Sequence, residues 1–297
     1  TIFSQLTDYI DEYIFKTIVE KHKGNERVRH FTCWEHYLCM LFAQLTNRES
    51  LRDVETCLRA AGTKLFHAGI RSRISRSTLA NANERRPWQM YHDLAQHLIR
   101  EARVLYRNEK MFSDIITAVY AFDSTTIDLC LTLFPWARAA VYQKTNAAIK
   151  VHTLFDVQQK IPTFIRVSAA NAHDVNFMDA LVYEPGAFYI FDRGYVDFSR
   201  LHRIEDEKAF FVIRARKSLR FIRVTSLSVD KATGVKVDQR IKLQVFYSVK
   251  EYPDQLRRIK YYDAAHDQTY VYLTNNFQLN SFTIAELYRA RWEVETF

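Results

Sequence analysis

The sequence predicts an α/β fold in which an all-helical N-terminal domain precedes a mixed β-sheet, with a β-rich insertion late in the chain. Three observations lead to this prediction. Residues 1–108 contain capped helical segments, β-rich segments begin near residue 112, and a helix then alternates with strands. With 48% hydrophobic residues, 6 Gly and 5 Pro, the composition excludes a disordered or fibrous chain.

The predicted N-terminal domain, residues 1–108, is divided by helix caps. Thr32 is followed three residues later by Glu, which is the spacing of a capping box. Ser50 can cap the next helix, which Gly62 ends. The segment GIRSRISRSTLANANERR then places five arginines around a possible cap, Ser77. Short helices around a basic turn resemble a helix-turn-helix arrangement that binds DNA, and a helical bundle with a solvated basic face agrees with the pattern equally well.

Five β-rich segments predict the strands of the sheet: DIITAVYAFDST, AAIKVHTLFDV, IPTFIRVSAANAHD, AFYIFDRGY and AFFVIRAR. A helix, DFSRLHRIEDEKA, is predicted between the last two. Residues 217–276 alternate again in IKLQVFYSV and QTYVYLTNN without a clear helix, which predicts the β-rich insertion. The final segment, SFTIAELYRARWEVETF, predicts a helix capped by Ser281 or Thr283 and without a stop signal.

Several classes of protein are excluded by features that the sequence lacks. The longest apolar run, HYLCMLFAQL, is too short to cross a membrane, and the N-terminus has no signal-peptide pattern. Cys33, Cys39, Cys57 and Cys130 form no CxxC pair, so we expect ordinary buried thiols in a reducing compartment. These observations predict a soluble cytoplasmic protein.

Charge is distributed unevenly along the chain. The net charge is +8 overall, but it is +5 for residues 1–110, −3 for residues 111–209 and +7 for residues 210–280. An acidic centre between basic segments suits a site that binds cations while its surroundings bind a polyanion. Ordinary scatter of surface charge is the alternative, and charge alone does not decide between the two.

Two aspartates follow apolar runs that are typical of buried strands. Asp123 in AVYAFDST and Asp192 in YIFDRGY are therefore predicted at strand ends, where side chains emerge from an open α/β sheet into a crevice. On adjacent strands the two carboxylates would repel each other unless a cation neutralised them, and hard oxygen ligands select Mg²⁺ or Mn²⁺. We expect Gly194 to let the backbone turn sharply after the second strand. The alternative is that each Asp only caps a loop.

The C-terminal helix offers a third carboxylate. Tyr288, Arg291 and Glu295 are spaced i, i+3 and i+7, which places them along one helical face. This face combines an aromatic ring, a guanidinium suited to phosphate and a carboxylate suited to metal. Taken alone, such a face is more often a solvated surface.

Together, FDST, FDRGY and the Y-x2-R-x3-E pattern of YRARWEVE resemble the catalytic signature of bacterial insertion-sequence DDE transposases of the YREK type, the insertion-sequence family numbered four. The similarity extends over nearly the whole chain. Further segments that resemble these transposases are TIFSQL, ISRSTLANANERRPW, DSTTIDLCLTLFPWA, HDVNFMDAL and LTNNF.

The resemblance implies an RNase H-like fold for residues 109–297. It also accounts for the long interval between the second Asp and the Glu, because family members carry a β-rich insertion there, here at about 217–276. One feature departs from the family pattern. The lysine that follows the Glu by seven residues would fall at position 302, beyond Phe297, so we expect the C-terminal helix to be truncated in this sequence.

The resemblance also assigns chemical roles. It implies that Asp123, Asp192 and Glu295 are the catalytic residues and the ligands of two Mg²⁺ (or Mn²⁺) ions. Tyr288 and Arg291 match the family's contacts to the transposon end. The activity implied is metal-dependent cleavage of DNA at the ends of an insertion sequence, followed by strand transfer.

Further DNA contacts are expected beside the carboxylates. Arg193 and Tyr195 would position the phosphate backbone around the scissile bond, and a basic run would clamp flanking DNA. The residues of that run are Arg214, Arg216, Lys217 and Arg220. A basic strand edge kept soluble by its charge is the alternative for the run. The expected partners are the terminal inverted repeats and target DNA, bound by a homodimer.

The sequence leaves two alternative functions to compare with this one. A phosphatase of the haloacid-dehalogenase kind with Asp123 as nucleophile would require a second Asp two residues later, where Thr125 stands. A catalytically inactive DNA-binding protein descended from a transposase is the other alternative. The intact set of two Asp and one Glu argues against it.

Overall fold

The computed structural model describes residues 2–71, 73–106, 115, 117–129, 138–140 and 143–296. It divides the chain into two compact units, Thr1–Glu101 and Ala102–Phe297. Cys130 and much of the segment DSTTIDLCLTLFPWA lie outside the described residues. Cys33 and Cys39 are buried free thiols, and Cys57 is free and half-buried.

The described part of the first unit is helical. Its helices are α1 (Ile2–Thr7), α2 (Glu12–Lys21), α3 (Cys33–Leu45), α4 (Leu51–Ala61), a 3₁₀ helix (Gly62–Ala68), α5 (Arg76–Arg85) and most of α6 (Gln89–Leu105), whose last four residues follow Glu101. No helix in the described ranges is both long and apolar enough to span a membrane.

The caps of these helices follow the sequence with one exception. The capping box at Thr32 is confirmed, as are the N-cap at Ser50 and the end of α4 at Gly62, whose φ is +52°. The cap predicted at Ser77 is wrong. Ser75 caps α5 instead, because its hydroxyl lies 3.2 Å from the Thr78 amide and accepts its hydrogen bond, whereas Ser77 lies within the first turn.

The second unit contains a mixed sheet and four α-helices in its described residues. The strands are β1 (Val119–Leu129), β2 (Arg138–Ala140), β3 (Gln143–Asp156), β4 (Ile161–Ala169), β5 (Phe188–Phe191), β6 (Phe210–Arg214), β7 (Phe221–Ser226), β8 (Val235–Leu243), β9 (Leu256–Asp263) and β10 (Gln268–Thr274). The helices are α7 (Phe198–Asp206), α8 (Phe246–Glu251), α9 (Ser281–Arg289) and α10 (Glu293–Thr296).

The strands form one sheet in the order β2-β3-β1-β5-β6-β10-β9-β8-β7, with β4 on β3. The pairs β1–β5 and β5–β6 are parallel, and the remaining pairs are antiparallel. Because β10 pairs with β6, strands β7–β10, which cover the predicted β-rich insertion, continue the central sheet instead of forming a separate body.

Each face of this sheet carries its own apolar core. Alternate residues of a strand point to opposite faces, so the two cores draw on different positions of the same strands. One core contains Tyr120, Phe122, Tyr189, Phe191, Phe211, Leu201 and Ile204. The other contains Val119, Ala121, Phe188, Ile190, Val212, Ile284, Leu287 and Tyr288. The second core therefore holds α9 against the centre of the sheet.

Two local predictions in this unit are wrong. The segment IKLQVFYSV is strand only to Leu243 and becomes helix at Phe246, because the chain must reverse direction between β8 and its antiparallel partner β9. The C-terminal helix is capped by Asn280, whose side chain accepts a hydrogen bond from the Phe282 amide at 2.9 Å, and not by Ser281 or Thr283.

Candidate active site

The first carboxylate lies within a strand and not at its end, contrary to the prediction. Asp123 is inside β1, which continues to Leu129 in antiparallel pairing with β3. Its parallel neighbour β5 is shorter, and the last residues paired between the two strands are Phe122 and Phe191. The carboxylate therefore emerges where β5 stops, one residue past the last pair.

The second carboxylate occupies the equivalent position directly after β5. Asp192 directly follows Phe191, the partner of Phe122, so the two aspartates are next to each other across the parallel pair. Both lie two residues beyond members of the core beneath α9, Ala121 and Ile190, so the pleat directs them to that face of the sheet.

Gly194 does not have the role that the sequence predicts. It lies in a short 3₁₀ helix, Arg193–Tyr195, and is not among the glycines with positive φ. A Cβ added at this position would have no described heavy atom within 4 Å. The turn after β5 therefore arises from the 3₁₀ helix, which residues other than glycine also adopt.

The C-terminal helices bring three side chains over the two aspartates. The hydroxyl of Tyr288 donates a hydrogen bond to Oδ1 of Asp192 at 2.9 Å. Arg291 donates from Nη1 to Oδ2 of Asp123, and from Nη2 to Oε1 of Glu295 at 2.7 Å. Although a 3₁₀ turn separates α9 from α10, the residues predicted to share one face all reach the site.

The protein environment shifts the pKa values of the two aspartates in opposite directions. Burial raises the pKa of Asp123 above its usual value, although the charge of Arg291 opposes this effect. Glu295 and Asp192 raise it further, as nearby like charges do. Burial also acts to raise the pKa of Asp192, but it is outweighed by hydrogen bonds from the Arg193 amide and the Tyr288 hydroxyl, and the pKa is lowered.

The three candidate metal ligands, Asp123, Asp192 and Glu295, suit a hard divalent cation because all of them are carboxylates. As the side chains stand, the guanidinium of Arg291 binds both Asp123 and Glu295. Across the described ranges, no group of three or more His, Cys, Asp or Glu side chains is arranged to hold a metal. With Arg291 in this position, the three carboxylates are therefore not arranged as a metal site.

The residues predicted to contact DNA fall into a buried set and an exposed set. Tyr195 is 3% exposed and packs against Phe122, with 5.3 Å between ring centroids, so it is a core residue in this structure. Tyr288 and Arg291 are also buried, at 1% and 7% exposure. Arg193, in contrast, is exposed beside the carboxylates.

A basic cleft begins at Arg193. It has a volume of about 230 Å³, and its described lining includes five basic residues and no acidic one. These basic residues are Arg193, Arg214, Arg216, Lys217 and Arg258. Arg220 lies outside this lining, in an adjoining depression that also includes Arg216.

Arg258 also lines this cleft, although it is not among the DNA contacts predicted from the sequence. It lies on β9 with its guanidinium 4.9 Å from the centroid of the Phe221 ring, and burial lowers its pKa. The segment QLRRIK contains the two adjacent arginines Arg257 and Arg258. Because side chains alternate along a strand, the two point to opposite faces of the sheet, and this alternation is the sequence signal that separates Arg258 from Arg257.

Comparison with known proteins connects this geometry to a family. Residues 116–297 match the model of the family described as Transposase DDE domain, and residues 1–71 match one described as a domain of unknown function, DUF4372. A Sinorhizobium fredii (strain NBRC 101917 / NGR234) protein named as a transposase, y4zB, is 31% identical over 228 residues, which are 73% of this chain and 59% of that protein.

A second relative matches more of the chain. A Geobacillus stearothermophilus protein named as a transposase for insertion sequence element IS5377 is 24% identical over 288 residues, or 97% of this chain and 72% of that protein. The piggyBac transposase, solved by cryo-EM as a synaptic complex with hairpin DNA, matches with a TM-score of 0.50 and 12% identity, over 98% of this chain and 66% of that one. This likeness concerns the fold alone and confirms the predicted RNase H-like α/β fold.

Proposed function

Because this chain belongs to the family of transposases with a DDE domain, we propose that it cleaves and joins DNA at the ends of an insertion sequence. The observation that carries this proposal is the position of Asp123 and Asp192, next to each other on parallel strands beneath a helix that brings Glu295. The chain spans 59% of the length of the Sinorhizobium relative, so the proposal concerns the activity of this part within a whole protein.

The three carboxylates have the chemistry to hold divalent metal ions, and we propose two Mg²⁺ or Mn²⁺. The chemistry that such ions would supply there is activation of a water or a 3′-hydroxyl and stabilisation of the leaving oxygen of a phosphodiester. The chain's own residues provide the rest of the site. Tyr288 orients Asp192 through its 2.9 Å hydrogen bond, and we propose that Arg291 transfers its guanidinium from the carboxylates to a phosphate of the DNA end.

This role for Arg291 predicts competition between its guanidinium and a metal ion. Without DNA, Arg291→Gln should bind Mn²⁺ about tenfold more tightly than the unmodified chain, because a positive charge beside two carboxylates opposes a second one, and an opposition of about 1.4 kcal/mol corresponds to a factor of ten. Electron paramagnetic resonance titration of free Mn²⁺ measures the affinity. Arg289→Gln, two residues away and exposed, is the matched control and should leave it unchanged. Equal or weaker Mn²⁺ binding by Arg291→Gln would contradict the competition.

The N-terminal unit is proposed to bind DNA through the basic turn before α5. Arg71, Arg73 and Arg76 are exposed there, and so is Arg85 at the end of the helix. Arg86 differs from them, because its guanidinium binds the backbone carbonyls of the segment before α3. The four exposed arginines are available to phosphates, and the fifth stabilises the fold. We also propose a homodimer on DNA, which holds two ends together.

The decisive experiment is cleavage of a duplex that carries the sequences bordering the gene on both sides. We expect strand breaks at the element boundary that require Mg²⁺ or Mn²⁺ and that stop when EDTA is added. No covalent protein–DNA adduct should form, since water or a 3′-hydroxyl is the nucleophile. Binding of this duplex without cleavage in either metal would contradict the proposal and favour the inactive DNA-binding protein.

A further inference from the structure

A buried ion pair lies inside the β-rich insertion, away from the carboxylates. Asp238 on β8 and Arg257 on β9 are 3% and 4% exposed. Their contact is bidentate, with Nε of Arg257 3.0 Å from Oδ1 and Nη2 2.6 Å from Oδ2 of the aspartate. Removal of two charges from water costs several kcal/mol per ion, so a pair of this kind is weak evidence of a purely stabilising role.

The remaining nitrogen of the guanidinium reaches out of the insertion. Nη1 of Arg257 donates to the backbone carbonyls of Asn276 at 3.3 Å and Leu279 at 2.6 Å. These carbonyls belong to the turn between β10 and α9. The pair therefore joins the inner strands of the insertion to the segment that starts the C-terminal helix.

The same turn is held by its own polar side chains. Oδ1 of Asn276 accepts hydrogen bonds from the amides of Gln278 and Leu279. The amide of Asn276 donates to the Thr274 hydroxyl, and Asn280 caps α9. The segment LTNNF forms the start of this turn. It resembles a segment of insertion-sequence transposases, and the resemblance assigns no role to it. Arg257 links this turn to β9 and, through Asp238, to β8; the guanidinium of Arg240 on β8 also contacts the turn, 4.9 Å from the centroid of the Phe277 ring.

The helix that begins here brings the site together. Tyr288 on α9 packs against Tyr272 of β10, with 4.6 Å between ring centroids, and hydrogen-bonds to Asp192. Arg291 and Glu295 follow on the next turns. A small displacement of the turn at residues 276–279 therefore moves the contacts made with both aspartates.

We propose that Asp238 and Arg257 are positioning residues, which place α9 and thereby Tyr288, Arg291 and Glu295 over the aspartates. This inference rests on the proposed function and extends it, because it gives the insertion a part in assembling the active site. Asp238 orients the guanidinium, and Arg257 binds the two carbonyls.

The test replaces the pair by apolar residues, which preserves packing but removes the bonds to the turn. Buried ion pairs exchanged for apolar residues of similar volume often keep or gain stability. In Asp238→Val/Arg257→Met we expect turnover on saturating duplex to fall about tenfold, since misplacement of catalytic groups by a fraction of an ångström has effects of this order. The dissociation constant for DNA should stay within about twofold, because the basic cleft is unchanged.

Hydrogen exchange supplies a readout that does not depend on cleavage. Amides of α9 should exchange faster in the double variant, while those of β5 and β6 stay protected. Arg257→Lys is the second variant, because lysine keeps the charge but not the planar fork that binds aspartate and carbonyls together. Like the double variant, Arg257→Lys should lower turnover and speed the hydrogen exchange of the α9 amides. Lys260→Arg, an exposed exchange of the same two residue types on β9, is the control and should change neither.

Unchanged turnover and unchanged α9 exchange in a folded variant would overturn the inference and leave the pair a structural feature of the insertion. If the double variant does not fold, Arg257→Lys decides by the same two measurements. An unmodified chain that fails to cleave, combined with faster α9 exchange in the variants, would count against the proposed function while supporting the positioning role.

Discussion

Asp192→Asn should reduce DNA cleavage by roughly ten-thousandfold, as the loss of a central catalytic group does, while DNA affinity changes by less than about twofold. Asparagine keeps the size of the side chain and an oxygen that accepts the Tyr288 hydrogen bond. The negative charge is lost, and an NH2 group replaces one of the two acceptor oxygens. The lowered pKa of Asp192 means that this charge is present at neutral pH.

The measurement is the single-turnover rate of duplex cleavage in Mg²⁺, beside DNA binding measured in Ca²⁺. Asp197→Asn is a matched control, because Asp197 caps α7 five residues later and asparagine caps equally well. Its cleavage rate should stay within about twofold of the unmodified chain, since the substitution keeps the cap. If Asp192→Asn still cleaves at a tenth of the unmodified rate or faster, its carboxylate is not a catalytic ligand.

Replacement of Arg216, Lys217 and Arg220 by Gln should weaken DNA binding on the order of a hundredfold near physiological salt, because each lost phosphate contact removes counterion release. The three side chains are exposed on the segment after β6. The slope of log affinity against log salt should become shallower by about 2.7, at about 0.9 for each of three contacts. Fluorescence anisotropy of a labelled duplex over a range of salt concentrations measures both quantities.

Lys208, Lys231 and Lys250 provide the control for this triple variant. They are exposed, carry the same total charge and lie outside the lining of the cleft. Their replacement by Gln removes three charges without removing the proposed contacts, so it should change the slope by less than about one. Equal losses in both triple variants would mean that overall charge, and not this cleft, binds the DNA.

Much of the site could be predicted from local pattern. Side chains alternate between the two faces of a strand. Asp123 follows Val119 and Ala121 at intervals of two residues, and Asp192 follows Phe188 and Ile190 in the same way. Each aspartate is therefore placed on the same face of its strand as those apolar residues. The spacing of Tyr288, Arg291 and Glu295 places those side chains on one helical face. Both are short-range regularities of the backbone, which a single sequence records directly.

The predictions that are wrong concern segments whose structure depends on contacts with residues far away in the sequence, and not on the local pattern alone. Asp123 was expected at a strand end, but β1 continues because β3 pairs with it far beyond that point. Phe246 and Tyr247 are residue types that favour strands. They lie instead in α8, because their segment connects β8 to β9 where the chain reverses direction. Gly194 was expected to be required by the turn, and the 3₁₀ helix there does not require it.

By itself, the sequence determined the fold class, the family resemblance and the faces on which the candidate site residues lie, because these follow from periodicity and short motifs. Only the tertiary structure decided that Arg291 binds Asp123, that Arg258 joins the basic cleft and that Arg257 reaches the turn before α9. Each of these contacts joins different elements of the fold. Chain connectivity does not specify them, and they arise only when the sheet order brings the strands of the insertion and the C-terminal helix together.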